Sequence, residues 1–89
     1  MHETSLIRDL MKKIQKVATI NQAEKVKSIK VRLGALSHFS KEHFEEHFLI
    51  ESKGSIAEGA QLHITLDTDE YAPTAQDVLL EEVEIHESI

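Results

Sequence analysis

The chain opens with Met1-His2-Glu3, three residues that could bind a metal ion without help from the fold. The amine of Met1, the amide nitrogen of His2 and the Nδ1 atom of the His2 ring close two fused chelate rings around one ion. Three nitrogens in one plane suit Ni(II) or Cu(II) better than Zn(II). Glu3, water or another group in the chain would supply the fourth ligand. Because the amide must lose its proton, we expect binding to weaken as pH falls. The alternative is that the chain begins Met-His by chance and its terminus frays.

The sequence has five further histidines, at positions 38, 43, 47, 63 and 86. His43-Phe44-Glu45-Glu46-His47 fits H-x-x-E-H, the string of inverzincin peptidases, and its two histidines lie one helical turn apart. A chain this short has no room for a substrate cleft and a third ligand, so we interpret the string as a solvated helix face or an adventitious metal site. His38 is a candidate capping or turn residue, His63 points outward, and His86 is a candidate spare ligand. No nucleophile–base set or phosphate loop is present, so we predict that the chain is not an enzyme.

Composition limits the class of protein. The 89 residues make one domain, residues 1–89, with 40% hydrophobic and 29% charged side chains. A net charge of -6 argues against nucleic acid or an anionic membrane as the main partner. There is no cysteine, hence no disulfide and no thiolate zinc site. No apolar run approaches the length of a membrane span and no signal-peptide core is visible, so we expect a cytoplasmic protein.

Two helices are predicted. The first follows Thr4 or Ser5 as N-cap and fades near residues 19–21. Its apolar stripe comprises Leu6, Ile7, Leu10, Met11, Ile14, Val17 and Ala18. The second runs from about Ser40 to Ser52 and ends before Gly54. In it we expect Phe44 and Phe48 to be buried, with Leu49 and Ile50 widening the apolar side.

Three strands are predicted. Ile29, Val31 and Leu33 alternate with polar and basic residues, and Gly34 ends this first strand. In the second strand Leu62, Ile64 and Leu66 face inward. Residues 67–77 form an exposed connection around the only proline, Pro73. The third strand runs from Val78 to about His86, and a β-bulge at Glu81-Glu82 absorbs a slip in its alternation.

The order of these elements predicts an α+β fold, with two helices packed on one face of a three-stranded mixed sheet. The helix between the first two strands can cross over and leave them parallel. The last two strands should then pair antiparallel through the connection that contains Pro73. The order of the strands in the sheet is left open.

Several segments resemble the HypA/HybF family of hydrogenase nickel-incorporation proteins. They are Met1-His2-Glu3, residues 31–37, residues 42–48, residues 53–62 and residues 78–85. Members of that family carry a zinc ribbon with two Cys-x-x-Cys pairs between the last two strands. This chain has only the short stretch 67–77 there, without cysteine, so we expect the nickel-binding domain alone and no structural zinc.

The resemblance implies a nickel metallochaperone that serves nickel enzymes such as [NiFe] hydrogenase, with Ni(II) held by Met1, His2 and Glu3. Its implied partners are a hydrogenase large subunit and a GTPase accessory protein. The open sheet edges permit a monomer or a weak homodimer. The alternative is a HypA-like interaction or regulatory module that has kept the fold and lost metal delivery.

Overall fold

A computed structural model of the protein describes residues 3–87, and side chains from Ser5 to His86. The elements in chain order are α1 (Glu3–Ile20), β1 (Ala23–Leu33), α2 (Lys41–Ser52), β2 (Gln61–Leu66) and β3 (Val78–Glu87). The α+β prediction is confirmed. Neither helix has the length and apolarity needed to cross a bilayer, within the part of the chain that the structure describes.

β1 is the central strand of the sheet, whose order is β2-β1-β3. β2 pairs with β1 in parallel, as the crossover through α2 predicts, with Ile29 opposite Leu62 and Val31 opposite Ile64. β3 runs antiparallel, but it pairs with β1 and not with β2, so that part of the prediction was wrong. The reason lies in strand length. β3 has 10 residues and finds more hydrogen-bonding partners along the 11 residues of β1 than along the 6 of β2.

The bulge predicted in β3 is present. Lys30 lies opposite Glu82 and Val31 lies opposite Leu80, which leaves Glu81 as the extra residue. This shift lets β3 keep its apolar side chains toward the helices on both sides of the bulge. β1 carries two further register shifts, between Ala23 and Lys25 and between Val26 and Ser28.

The two helices and the inner face of the sheet enclose one aliphatic and aromatic core. Its fully buried large members are Phe44, Phe48, Ile7, Ile14, Ile29, Leu33, Val26 and Val31. The opposite face of β1 is basic, as predicted, and carboxylates of β3 stand beside it. Arg32 Nε lies 3.1 Å from Glu81 Oε2, and Lys27 Nζ lies 3.5 Å from Glu84 Oε1. These cations are therefore paired within the sheet.

α2 begins where its N-cap predicts. The Ser40 hydroxyl accepts a hydrogen bond from the His43 amide at 3.1 Å. Phe44 and Phe48 are buried, but Leu49 and Ile50 are 61% and 71% exposed, so the prediction of a wider apolar side was wrong. Residues one and two positions beyond Phe48 are rotated by about 100° and 200° around a helix, away from the face that Phe44 and Phe48 share.

Three other boundaries or orientations differ from the prediction. α1 begins at Glu3, before Thr4 and Ser5, so neither of those two residues is its N-cap. β1 extends back to Ala23, after a turn in which Gln22 has a φ of 54°. Leu66 is 52% exposed, because β2 lies at the edge of the sheet and is only partly covered.

The connection 67–77 is not wholly exposed as predicted, because its second half packs against the end of β1. Gly34 N donates to Asp77 O at 2.9 Å, and Leu36 N donates to Ala75 O at 2.7 Å. Ala75 is only 4% exposed. A Cβ atom on Gly34 would lie 2.6 Å from Thr74 O, so glycine lets the two backbones approach. The connection thus becomes part of the folded body.

A pair of substitutions tests how α2 is oriented. Phe44→Ala removes a side chain with no exposed surface, and we expect it to lower the free energy of unfolding by about 3–5 kcal/mol. Leu49→Ala, on the exposed side of the same helix, should change that free energy by less than about 0.5 kcal/mol. Urea denaturation followed by circular dichroism measures both. Equal losses from the two variants would contradict this orientation of α2.

Candidate metal centre

The predicted nickel ligands are Met1, His2 and Glu3, the first three residues of the sequence. Met1 and His2, and the side chain of Glu3, lie outside the described residues, so their role stays a prediction. What the structure does describe is the helix that follows them. α1 begins at Glu3 and is fixed by a buried stripe that comprises Ile7, Leu10, Ile14 and Ala18. The three predicted ligand residues therefore stand in sequence at the beginning of a helix that is packed into the core.

An open groove of about 740 Å³ lies beside the first half of α1. Its polar groups come from α1, from the turn after β1 and from the end of the connection 67–77. The lining comprises Leu6, Asp9, Leu10, Lys13, Leu36, Ser37, His38, Gln76, Asp77, Val78 and Leu79. Two carboxylates, one ammonium and one imidazole thus share this groove, and all four of those side chains are exposed.

Ser37 is the unusual member of this lining. It is 5% exposed, and its Oγ atom has no hydrogen-bond partner among the described residues. The turn around it is held by the backbone, since Ser37 N donates to Gly34 O at 3.0 Å. His38 follows with a φ of 64°, a left-handed conformation, which agrees with its predicted role as a turn residue. A buried hydroxyl without a partner normally costs stability.

Of the five histidines that the structure describes, two are side by side. The Nε2 atoms of His43 and His47 lie 3.1 Å apart on α2. His63 is exposed on β2, as predicted, and His86 is exposed on β3. No group of three or more His, Asp or Glu side chains is close enough to hold a metal ion, among the residues described. Neither histidine of α2 lines the groove, so the H-x-x-E-H segment is not part of it.

Sequence reasoning missed two features of these surfaces. Ser37 follows an apolar strand and a glycine turn, and nothing in its type predicts burial of its hydroxyl. Phe39 is 8% exposed and packs its ring against both His43 and His47. A signal for this second feature was available, since Phe39, His43 and His47 recur every four residues.

Comparison with known proteins identifies relatives. Residues 1–72 match a family described as "Hydrogenase/urease nickel incorporation, metallochaperone, hypA". The chain is 37% identical over 67 residues to the hydrogenase maturation factor HypA of Archaeoglobus fulgidus, covering 75% of this chain and 61% of that protein. It is 39% identical over 64 residues to the hydrogenase maturation factor HybF of Proteus vulgaris, covering 72% of this chain and 57% of that protein. The chain thus spans less than two thirds of the length of these relatives.

Solved structures show the same fold. The solution structure of the Ni metallochaperone HypA from Helicobacter pylori superimposes with a TM-score of 0.81 at 19% identity, over 99% of this chain and 100% of that one. A second solution structure, of a HypA protein, gives a TM-score of 0.72 at 20% identity over 96% of each chain. At 19% and 20% sequence identity, the similarity shows a shared arrangement of helices and strands and nothing more.

The buried Ser37 hydroxyl leads to a stability prediction. Ser37→Ala removes a polar atom that has no partner, so we expect the free energy of unfolding to rise by about 1 kcal/mol. Ser40→Ala is the matched control, because the same change there removes the N-cap of α2 and should cost about 1 kcal/mol. Urea denaturation measures both. A loss at Ser37 equal to that at Ser40 would show that the Ser37 hydroxyl is hydrogen-bonded in solution.

Proposed function

This chain belongs to the HypA family of hydrogenase and urease nickel-incorporation metallochaperones, and we propose that it carries Ni(II) for the maturation of nickel enzymes such as [NiFe] hydrogenase. A metallochaperone holds and transfers an ion and catalyses no reaction, which agrees with the prediction that this chain is not an enzyme. In our proposal the ion is cargo, and its ligands are Met1, His2 and Glu3.

The observation that carries the proposal is the extent of the family match. It begins at residue 1 and runs to residue 72, so it includes the three proposed ligands together with α1, β1, α2 and β2. The start of α1 at Glu3 adds a physical argument. A helix leaves its first four amides without intrahelical acceptors. The His2 amide comes one residue before Glu3 in sequence, so no hydrogen bond within α1 requires its proton, and a metal can displace that proton without breaking the helix.

The partial charge at the N-terminus of α1 acts in opposite directions on a metal ion and on its anionic ligands, which favours a site of intermediate affinity. The N-terminus of a helix carries a partial positive charge, which disfavours a bare cation by about 0.3–1 kcal/mol in exposed positions. A deprotonated amide and the Glu3 carboxylate are anions, and the same partial charge favours them. The ligand set thus compensates for the unfavourable position of the ion. Ligands on consecutive residues can also detach one at a time when a recipient offers its own, which suits transfer.

We further propose that the chain is a HypA-like nickel-binding domain over residues 1–89 in which the connection 67–77 replaces the zinc ribbon of the family. The sequence has no cysteine, so it offers no thiolate ligands for a structural zinc. The backbone hydrogen bonds that Gly34 and Leu36 donate to the connection hold it against the end of β1. In this proposal the folded body needs no zinc.

The proposed partners are a nickel-enzyme client, the hydrogenase large subunit in the first place, and a GTPase accessory protein. Nucleic acid is not a proposed partner, because the net charge is -6 and cations of β1 are paired with carboxylates of β3. Nor do we propose a membrane partner. The cytoplasm stays the expected compartment, and a monomer or weak homodimer the expected state.

Nickel titration of untagged protein tests the N-terminal site. We expect a square-planar Ni(II) absorption band at one equivalent when Met1 has a free amine, because the amine, the amide and the imidazole together impose that geometry. The band should disappear when one residue is added before Met1, and also in His2→Ala. It should weaken as pH falls, since protons compete for the ligands.

The double variant His43→Ala, His47→Ala is the control, and it should leave the square-planar band unchanged. Loss of the band in the double variant would show that the ion is bound on α2 instead. Absence of the band from every sample would favour the alternative, a HypA-like interaction or regulatory module without metal delivery.

A further inference from the structure

α2 places two imidazoles side by side on the surface of the protein. His43 and His47 are one helical turn apart, and their ring centroids lie 4.7 Å from each other. Their Nε2 atoms are separated by 3.1 Å. His43 is exposed and His47 is half-buried. Two nitrogen ligands of the same kind therefore meet at one point that solvent can reach.

The separation of the two nitrogens matches that of two ligands on one ion. With metal–nitrogen bonds of about 2.0–2.1 Å, two atoms 3.1 Å apart subtend an angle of about 100° at the metal. That angle lies between the right angle of square-planar or octahedral sites and the tetrahedral value. A small rotation of the two rings turns both lone pairs toward a common ion, and the backbone of α2 need not move.

Phe39 holds the pair in position. Its ring makes edge contacts with His43 at 6.2 Å and with His47 at 6.4 Å, measured between centroids. Phe39 is itself fixed from the core side by an edge contact with Phe44 at 5.4 Å. Because it touches both imidazoles, Phe39 limits the rotamers that they can adopt. A ligand pair whose rings are already ordered loses less entropy when it binds an ion.

The charge around the pair favours a cation. α2 carries four glutamates against a single lysine over its 12 residues. Glu42, Glu45 and Glu46 are exposed near the two histidines in sequence. A local excess of carboxylates raises the concentration of divalent ions at such a surface.

We propose that His43 and His47 form a second metal site, a bidentate one for a late first-row divalent ion such as Zn(II), Ni(II) or Cu(II). It goes beyond the proposed function, because its ligands, His43 and His47, are not those of the proposed nickel site. Binding replaces the contact between the two Nε2 atoms. The ring that carries its proton on Nε2 moves that proton to Nδ1, and both Nε2 lone pairs then face the ion. The two imidazoles are the ligands that this proposal names, and the described part of the chain forms no group of three or more metal-binding side chains.

The test uses untagged full chain carrying His2→Ala, which removes the N-terminal chelate. Zn(II) is added while the ring resonances of the histidines are followed by NMR, and calorimetry gives the dissociation constant. We expect the Nε2 signals of His43 and His47 to shift together and to saturate at one equivalent. His43→Ala or His47→Ala should each weaken binding by about 100-fold, the loss that follows when a chelate becomes a single ligand.

His63→Ala is the matched control, because it removes another exposed imidazole, on β2, and should leave the affinity unchanged. Thermal unfolding without metal verifies that each variant is folded. Equal affinity in the double variant His43→Ala, His47→Ala and in its parent would overturn the proposal, as would a shift of only one of the two rings. Neither result bears on the square-planar band, which depends on Met1 and His2.

Discussion

The structure depends on the pairing of β1 with a strand on each side. β1 is the only strand that hydrogen-bonds to both others within residues 3–87, and its inward side chains Val26, Ile29, Val31 and Leu33 form the floor of the core. Its two neighbours run in opposite directions because of what connects them. α2 returns the chain to the same end of the sheet before β2, whereas the connection 67–77 reverses it before β3. The helices then have a single apolar face to cover, and they cover it from one side.

Most of this architecture could be predicted from the sequence, because it follows from local periodicity. Alternation in β1, the cap at Ser40 and the phenylalanines one turn apart each specify an element without reference to any other. The bulge at Glu81 could be predicted for the same reason, since a slip in alternation is visible within one strand. Each of these features follows from a pattern within a short, continuous stretch of sequence.

The errors concern relations between elements. Whether β3 pairs with β1 or with β2 depends on comparing strand lengths across the sheet, and no local pattern contains that comparison. Leu49 and Leu66 are apolar residues on the margin of their elements, and only the position of the neighbouring element decides their exposure. Ala75 is buried because Gly34 has no side chain, a contact between residues far apart in sequence. The candidate metal centre could likewise be predicted only in part from the sequence. Residue types indicate Met1-His2-Glu3 and the histidines of α2, and the four-residue spacing indicates that Phe39 lies beside that pair. That Phe39 is fixed from the core side by Phe44 required the fold.

The two metal sites that we propose differ in what holds their ligands. On α2 the ligands are neutral imidazoles one helical turn apart, ordered by Phe39 and by a helix whose first turn is capped by Ser40. At the start of the chain the ligands are consecutive, and the metal itself must displace an amide proton to complete the set. The site on α2 needs only a rotation of the two rings and a change of tautomer, and it has no strong preference for planar geometry. The site at the start of the chain selects ions that stabilise a planar nitrogen set, which favours Ni(II) and Cu(II) over Zn(II). In our proposal the chelate of Met1, His2 and Glu3 therefore selects Ni(II) and Cu(II) over Zn(II), while the histidine pair, which lacks that constraint, accepts a broader range of divalent ions.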